Sequence, residues 1–119
     1  MSLLTKEQIL GAMDLKTMDV SVPEWGGTVR VQTMTGAARD EYEQSLVRSR
    51  GKDKSKNLEN VRAQLLAATI VNDQGELVFS AEDVKSLGKK SARAMDRVFE
   101  AASKLNALGD ADQEELAGN

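Results

Sequence analysis

The side chains that most often carry out chemistry in proteins are scarce in this chain. Its 119 residues include no cysteine and no histidine, which excludes disulfides, thiolate or imidazole metal ligands, cysteine nucleophiles and histidine proton relays. The sequence also lacks a phosphate-binding glycine loop and a nucleophile-elbow motif. A chemical role would therefore have to come from carboxylates or from one basic run.

Carboxylates gather in three places where a metal ion would find oxygen ligands. The stretch Asn72–Glu76 superficially resembles a calcium loop, but it lacks the alternating oxygen ligands and the final bidentate glutamate. The pair Glu82–Asp83 suits the first turn of a helix, where acidic residues favour the positive end of the helix dipole, and the acids of 110–115 suit a solvated segment. We expect no metal site, no cofactor, no catalytic residue and no enzymatic activity.

The strongly basic stretch is Arg48–Lys56, in which five lysines and arginines accompany one acid, Asp53. Such a run can contact nucleic-acid phosphates, and a small nucleic-acid-associated regulatory protein is the alternative function that it supports. The run has no interleaved aromatic residues, and the whole chain has a net charge of −3. A solvated, mobile loop is the simpler interpretation, so nucleic acid is not the expected partner.

The length of the chain predicts a single globular domain over residues 1–108, followed by an acidic, flexible segment over 109–119. Hydrophobic residues make up 40% of the chain but aromatic residues only 3%, so we expect a thin aliphatic core. No stretch approaches the roughly 18 uninterrupted apolar residues that a membrane-spanning helix needs. The opening segment has charges inside its apolar run, unlike a signal peptide, and we expect no membrane partner.

Apolar side chains alternate with polar ones over residues 18–22 and again over 29–33, on either side of a Val-Pro-Glu-Trp-Gly-Gly turn. This period of two predicts a half-buried antiparallel β-hairpin. Pro23 fixes one backbone angle of the turn, and Gly26 and Gly27 are predicted to supply positive φ angles.

Helical periodicity and capping residues predict the rest of the fold. Thr5 and Thr35 suit helix N-caps, 58–71 is the most apolar and hence the predicted central helix, and Gly88 suits a left-handed C-cap. The predicted class is α+β, mainly α-helical with a small antiparallel hairpin or three-stranded sheet near the N-terminus, in which 76–79 is the third strand. The predicted helices run from about residue 6 to 11–13, from 36 to 49–51, from 58 to 71, from 81 to 87 and from 92 to 108.

Charged residues in the last predicted helix lie three or four positions apart, which favours ion pairs along its wet face. Asp96 is placed to reach Arg93, and Glu100 is placed to reach Arg97 and Lys104. Each pair would contribute only about 0.2–0.5 kcal/mol, so the apolar face rather than these pairs should position the helix.

Several short motifs follow one another along most of the chain. They are V-x-V-P-E-W-G-G-x-V-x-V over Val20–Val31, T-G-x-x-R-D-x-Y-E over Thr35–Glu43, a helix-turn-strand segment over Leu65–Val84 and a closing helical pattern over Leu87–Leu108. Each alone is an ordinary hairpin or cap, but in this order they resemble the tail assembly chaperones of long-tailed phages and prophages.

The resemblance implies a non-enzymatic role in the assembly of phage tails. Proteins of this family hold the tape measure protein, a long helical and apolar polypeptide, while tail tube protein subunits polymerise around it. The resemblance further implies a location in the host cell cytoplasm, absence from the mature virion and, in many such phages, a frameshifted longer form. A structural tail component that stays in the particle is a further alternative.

An amphipathic helical client requires apolar grooves between helices, and large apolar side chains are the candidates to line them. Trp25, at the hairpin tip, is either an exposed anchor for a partner or a lid over the core. The sequence leaves self-association open. The predicted partner-binding residues are Trp25, Tyr42, Leu46, Leu66, Ile70, Leu108 and Leu116.

Overall fold

The protein is described by a computed structural model that covers residues 2–50 and 54–107, with side chains described over 2–47 and 61–107. Helices dominate, and the described strands form one antiparallel sheet, which confirms the predicted α+β class. The helices are α1 (Lys6–Leu10), α2 (Gly36–Arg50), α3 (Lys54–Thr69), α4 (Val84–Leu87) and α5 (Ala92–Leu105). The strands are β1 (Thr17–Val22), β2 (Gly27–Gln32) and β3 (Ile70–Val71), with β2 in the middle.

The hairpin predicted from the alternating pattern is confirmed. β1 pairs with β2 in a register that places Met18 opposite Val31 and Val20 opposite Val29. Val22 and Val31 have no exposed surface, and Val20 and Val29 pack against the core as partly buried residues. Since side chains alternate between the two faces of a strand, one face of the hairpin covers the core and the other faces water.

The hairpin turn needs one left-handed glycine rather than two. Pro23–Trp25 forms a 3₁₀ turn, and Gly26 closes it with a φ of 74° and donates its N–H to the Pro23 carbonyl. The predicted positive φ at Gly27 is wrong, because Gly27 is already the first residue of β2. A single left-handed residue completes the reversal once the 3₁₀ turn has bent the chain.

The third strand lies earlier in the chain than predicted. Helix α3 ends at Thr69, and the next two residues, Ile70 and Val71, pair with β2 opposite Val31 and Arg30. Both are 4% exposed. The predicted continuation of the helix to residue 71 is wrong, because β-branched side chains suit a buried sheet position better than the last turn of a helix.

The predicted third strand at 76–79 is correspondingly wrong. After β3 the chain turns at Asn72, whose Oδ1 accepts hydrogen bonds from two following backbone N–H groups, and Gly75 takes a φ of 80°. The chain then returns to the edge of β3 through one isolated bridge between Val71 and Leu77. The short strand β3 has only two residues with which to pair, so 76–78 continues as an exposed segment, and Phe79 then packs against the core.

Helix α3 extends further into the basic stretch Arg48–Lys56 than predicted. It begins at Lys54 instead of residue 58, whereas α2 ends at Arg50, within the predicted range. The predicted loop is therefore wrong for the helical part of this stretch, because lysine and arginine are good helix formers and need no burial. Residues 51–53 and the side chains of 48–60 lie outside the described residues, and the nucleic-acid alternative stays a hypothesis.

The core lies between the inner face of the sheet and helices α3 and α5. Leu65 and Leu66 of α3 and Val98 of α5 have no exposed surface. Thr69 is also buried, and its hydroxyl donates to the Leu65 carbonyl at 2.7 Å. The core is aliphatic, as predicted, and its members are Val22, Val31, Tyr42, Ala63, Leu65, Leu66, Ile70, Leu87, Ala94, Met95, Val98 and Ala102.

Helix α5 begins at Ala92, as predicted, and packs one face against the core. The Ser91 hydroxyl accepts the Ala94 N–H at 3.3 Å and caps the helix. Met95, Val98 and Ala102 are buried. Phe99 and Leu105 of the same helix are partly buried and pack against the core.

The ion pairs of α5 connect it to other elements. Asp96 Oδ1 lies 2.9 Å from Arg62 Nε of α3, and Glu24 Oε1 at the hairpin tip lies 3.0 Å from Arg97 Nε. The pairs predicted along α5 are wrong, because neighbouring elements bring oppositely charged groups closer than helical spacing does. Such exposed pairs contribute about 0–1 kcal/mol each, so they orient α5 more than they stabilise it.

The predicted left-handed cap at Gly88 is also wrong. Gly88 has a φ of −64° and donates its N–H to the Val84 carbonyl. The N–H groups of Lys89 and Lys90 then donate to carbonyls one turn earlier. The chain therefore leaves α4 through a right-handed turn that leads into α5, and a left-handed reversal is not needed.

Substitution of Leu66 tests its place in the core. We expect Leu66→Ala to lower the free energy of unfolding by about 2–5 kcal/mol, because a fully buried side chain is removed and a cavity is left. Leu77→Ala is the control, since Leu77 is 53% exposed and surface changes usually stay within about 0.5 kcal/mol. Urea unfolding measures both, and equal losses would contradict a core role for Leu66.

Candidate protein-binding surfaces

The partner-binding residues predicted from the sequence are distributed between core and surface. Leu66 and Ile70 are 0% and 4% exposed and belong to the core in this conformation. Tyr42 is 7% exposed but lines a surface groove. Trp25 and Leu46 are half-buried and pack against the core. The predicted residues outside the described part of the chain are Leu108 and Leu116.

An apolar groove lies between α2, α3 and the segment 77–84. It has a volume of about 160 Å³ and is open to solvent. Small side chains line much of it, and the polar side chains beside them include Glu41 and Gln64. The apolar lining residues are Ala38, Tyr42, Ala67, Ala68, Leu77, Phe79, Ala81 and Val84.

Hydrogen bonds tie the start of α2 to the end of α5 and so fix one wall of the groove. The predicted cap at Thr35 is confirmed, because its Oγ1 accepts the Ala38 N–H at 3.1 Å. Just before it, the Met34 N–H donates to Asn106 Oδ1 at 2.6 Å, and Arg39 Nη1 donates to the Asn106 carbonyl at 3.3 Å. One asparagine thus holds the start of α2 from two sides.

A capping box holds the segment that forms the other wall. The Ser80 N–H donates to Asp83 Oδ2 at 2.8 Å, and the Asp83 N–H donates back to the Ser80 carbonyl at 3.0 Å. The carboxylate of Asp83 therefore caps the start of the helical segment. Among the described side chains, no group of three or more acids gathers in a way that could hold a metal ion.

Tyr42 gives the groove a phenol that stays neutral. Burial raises its pKa to about 12, against a smaller lowering by the charge of Arg39. At neutral pH the side chain therefore presents an uncharged ring to the groove. It is suited to packing against an apolar partner and not to proton transfer, which needs a pKa near the working pH.

A second apolar surface is the arm formed by residues 2–15 ahead of the sheet. Its helix α1 has the predicted capping box, yet none of its residues is buried. The partner-binding residues predicted from the sequence include none from this arm, although six large apolar residues within positions 2–15 were the available signal. Its most exposed large side chains are Leu3 at 91%, Leu4 at 69%, Ile9 at 56%, Leu10 at 75% and Met13 at 99%.

A third surface is a pocket of about 230 Å³ at the hairpin tip. Trp25, Phe79 and Leu87 supply its apolar lining, and Lys90 and Asp83 lie at its border. Trp25 also packs against the core. The side chain therefore combines features of both predicted roles, since it covers part of the core and borders a pocket open to a partner.

Tyr42 also has a testable pH dependence. Because its folded-state pKa lies above the ordinary value of 10.0, the stability due to the neutral phenol is complete below pH 10 and is lost as the pH rises toward about 12. Tyr42 is the single tyrosine of the chain, so an ultraviolet titration of tyrosinate reports it directly. Tyr42→Phe should flatten the fall in unfolding free energy across this pH range, and a midpoint near 10 in the folded chain would contradict the buried phenol.

Comparison with solved structures identifies a similar fold. A structure described as "Structure of bacteriophage HK97 tail assembly chaperone" superposes with a TM-score of 0.60 at 20% sequence identity, covering 83% of this chain and 90% of that chain. At this identity the likeness concerns the fold. A search of curated protein sequences found no significant match. Within residues 2–50 and 54–107, no helix has the length and apolar character needed to span a membrane.

A comparison with protein-family models gives a match over nearly the whole chain. The model described as "Phage tail assembly chaperone" matches residues 6–119. This range includes the hairpin, the groove and the tip pocket, so the match does not depend on one motif. The family resemblance inferred from motif order is thereby confirmed, and the chain belongs to the phage tail assembly chaperone family.

Proposed function

We propose that this chain binds the tape measure protein of a long-tailed phage or prophage and helps to recruit tail tube subunits around it. The observation that carries the proposal is the family match over residues 6–119. The client implied by the family resemblance is long, helical and apolar. A chaperone for it acts in the host cell cytoplasm during tail assembly and is not retained in the mature virion.

The groove between α2, α3 and 77–84 supports binding of a helical client. Helix-in-groove recognition requires an apolar channel into which side chains of the partner helix insert. The alanines of the groove allow close approach, because the distance between packed helices depends on the size of the contacting side chains. Leu77 and Phe79 supply larger apolar surface on one side of the channel.

The exposed arm formed by residues 2–15 also supports binding of an apolar client. Its side chains at positions 3–13 present apolar surface that has no cover among the described residues, and soluble proteins rarely leave such surface exposed without a binding role. A helix of five residues is too short to be stable on its own in water. Contact with an apolar client would therefore both cover the arm and stabilise its helix.

We further propose that the chain acts without catalysis. Holding an apolar polypeptide in solution requires burial of its surface, for which the groove and the arm are suited. The titratable groups that border the groove support this proposal, because the Tyr42 phenol is kept neutral and the Asp83 carboxylate accepts hydrogen bonds from Ser80. Binding and release, rather than bond making, are the expected steps.

Substitution of two adjacent residues with matched exposure, Leu77 and Val78, tests whether the groove binds the client. Leu77 is 53% exposed and lines the groove, whereas Val78 is 52% exposed and lines the opposite, sheet-edge side. We expect Leu77→Asp to reduce the tape measure protein recovered in soluble complex by at least about tenfold, since burial of a leucine contributes about 1.5–3 kcal/mol. Val78→Asp should leave recovery close to that of the unaltered chain.

The measurement is co-expression of the tagged chain with the tape measure protein of the same phage, followed by affinity purification and quantification of both proteins. Circular dichroism of each variant alone checks that it folds. If the unaltered chain neither solubilises nor co-purifies with the client, the proposed function is wrong. If both variants lose the client equally, the function stands but the groove is not its binding site.

A further inference from the structure

The pocket at the hairpin tip has cationic surroundings that the groove lacks. Helix α4 and the turn after it present Lys85, Lys89 and Lys90, and Arg93 follows in the first turn of α5. All four are exposed, and none forms an ion pair with another described side chain. Lys90 borders the pocket itself.

One carboxylate, Asp83, lines this pocket, and Glu24 directly precedes Trp25 in the hairpin turn. Asp83 accepts hydrogen bonds from Ser80, and Glu24 pairs with Arg97. The pKa of the Glu24 carboxyl is held below its usual value, first by a hydrogen bond from its own backbone and then by Arg97 and Arg93. The Ser80 groups are neutral, so the Asp83 carboxylate keeps its charge, and Glu82 beside it adds a second. The four cations still exceed these two acids, so an apolar pocket bordered by aromatic rings lies beside a net positive charge. Such a pocket suits an acidic segment carrying a large apolar side chain.

The chain contains one segment of that chemistry. Residues 109–119 include no lysine or arginine. Their one large apolar side chain is Leu116, which directly follows two of the acids. The acids of the segment are Asp110, Asp112, Glu114 and Glu115.

The segment is long enough to reach the pocket. Helix α5 has 14 residues and is therefore about 21 Å long, and the pocket lies at its beginning, next to Leu87 and Lys90. Leu116 follows Ala107 by nine residues, which span up to about 30 Å when extended. An extended path back along α5 therefore brings Leu116 to the pocket, with distance to spare.

We propose that residues 110–116 run back along α5 and place the Leu116 side chain in the pocket beside Trp25, with the segment's carboxylates facing Lys85, Lys89, Lys90 and Arg93. In this arrangement the chain covers its own pocket. A partner that binds there must present an acidic segment with a large apolar residue and displace 110–116. This inference does not depend on the identity of the client, and its test uses the chain alone.

Trp25 is a built-in probe of the pocket, because it is the single tryptophan of the chain. The test variant is the full chain with Glu114→Lys, Glu115→Lys and Leu116→Ser. If 110–116 covers the pocket, this variant shows a red-shifted tryptophan emission maximum and stronger quenching by acrylamide than the unaltered chain. Raising the salt from about 0.01 M to about 1 M shortens the Debye length from about 30 Å to about 3 Å, so the unaltered chain should shift in the same direction.

The matched control is the full chain with Glu7→Lys and Asp14→Lys. It reverses the same number of acidic charges at exposed positions before β1, whereas Trp25 follows the other end of that strand. Its emission and quenching should equal those of the unaltered chain. Equal spectra for the test variant and this control would overturn the proposal.

Reversing the charges first on the lysines and then on the C-terminal acids separates specific docking from a general effect of net charge. Lys85→Glu with Lys89→Glu should expose Trp25 as the tail variant does, although neither lysine lines the pocket. Adding Glu114→Lys and Glu115→Lys to that variant, with Leu116 kept, should restore the emission of the unaltered chain. Failure of this restoration, or a shift that depends on protein concentration and so assigns the docking to a second copy, would overturn the intramolecular arrangement.

Discussion

The fold depends on the direct junction between helix α3 and strand β3. The helix ends at Thr69, whose hydroxyl donates to the Leu65 carbonyl, and the next two residues pair with β2. With no loop between them, α3 is fixed over the inner face of the sheet. Burial of Leu65 and Leu66 then contributes about 1.5–3 kcal/mol each, and α5 packs against both layers to complete the core.

The same junction determines where the binding surfaces lie. Because Ile70 and Val71 occupy the edge of the sheet, the following residues return along it as the segment 77–84, in which Phe79 and Val84 pack against the core. That segment forms one wall of the groove and one side of the tip pocket, and Phe79 borders both. The groove and the tip pocket therefore share the Phe79 side chain.

Charged groups in this protein orient elements and surround binding surfaces. Arg62 with Asp96 and Arg97 with Glu24 connect α5 to its neighbours, and Asn106 ties the start of α2 to the end of α5. Lys90 borders the tip pocket, and Lys85, Lys89 and Arg93 lie close to it in the sequence. Together with the groove and the apolar arm, this distribution gives three surfaces of different chemistry around one thin aliphatic core, which suits a member of a chaperone family.

The sequence by itself determined the local features, because each depends on residues close together in the chain. The hairpin face at Val20 and Val22, the Thr35 cap and the order of family motifs belong to this group. Only the tertiary structure decided that Ile70 and Val71 leave the helix, since this requires β2 to offer a pairing edge. It likewise decided that Leu66 lies in the core, and it gathered residues of α2, α3 and 77–84 into a groove, because such neighbours are distant in sequence.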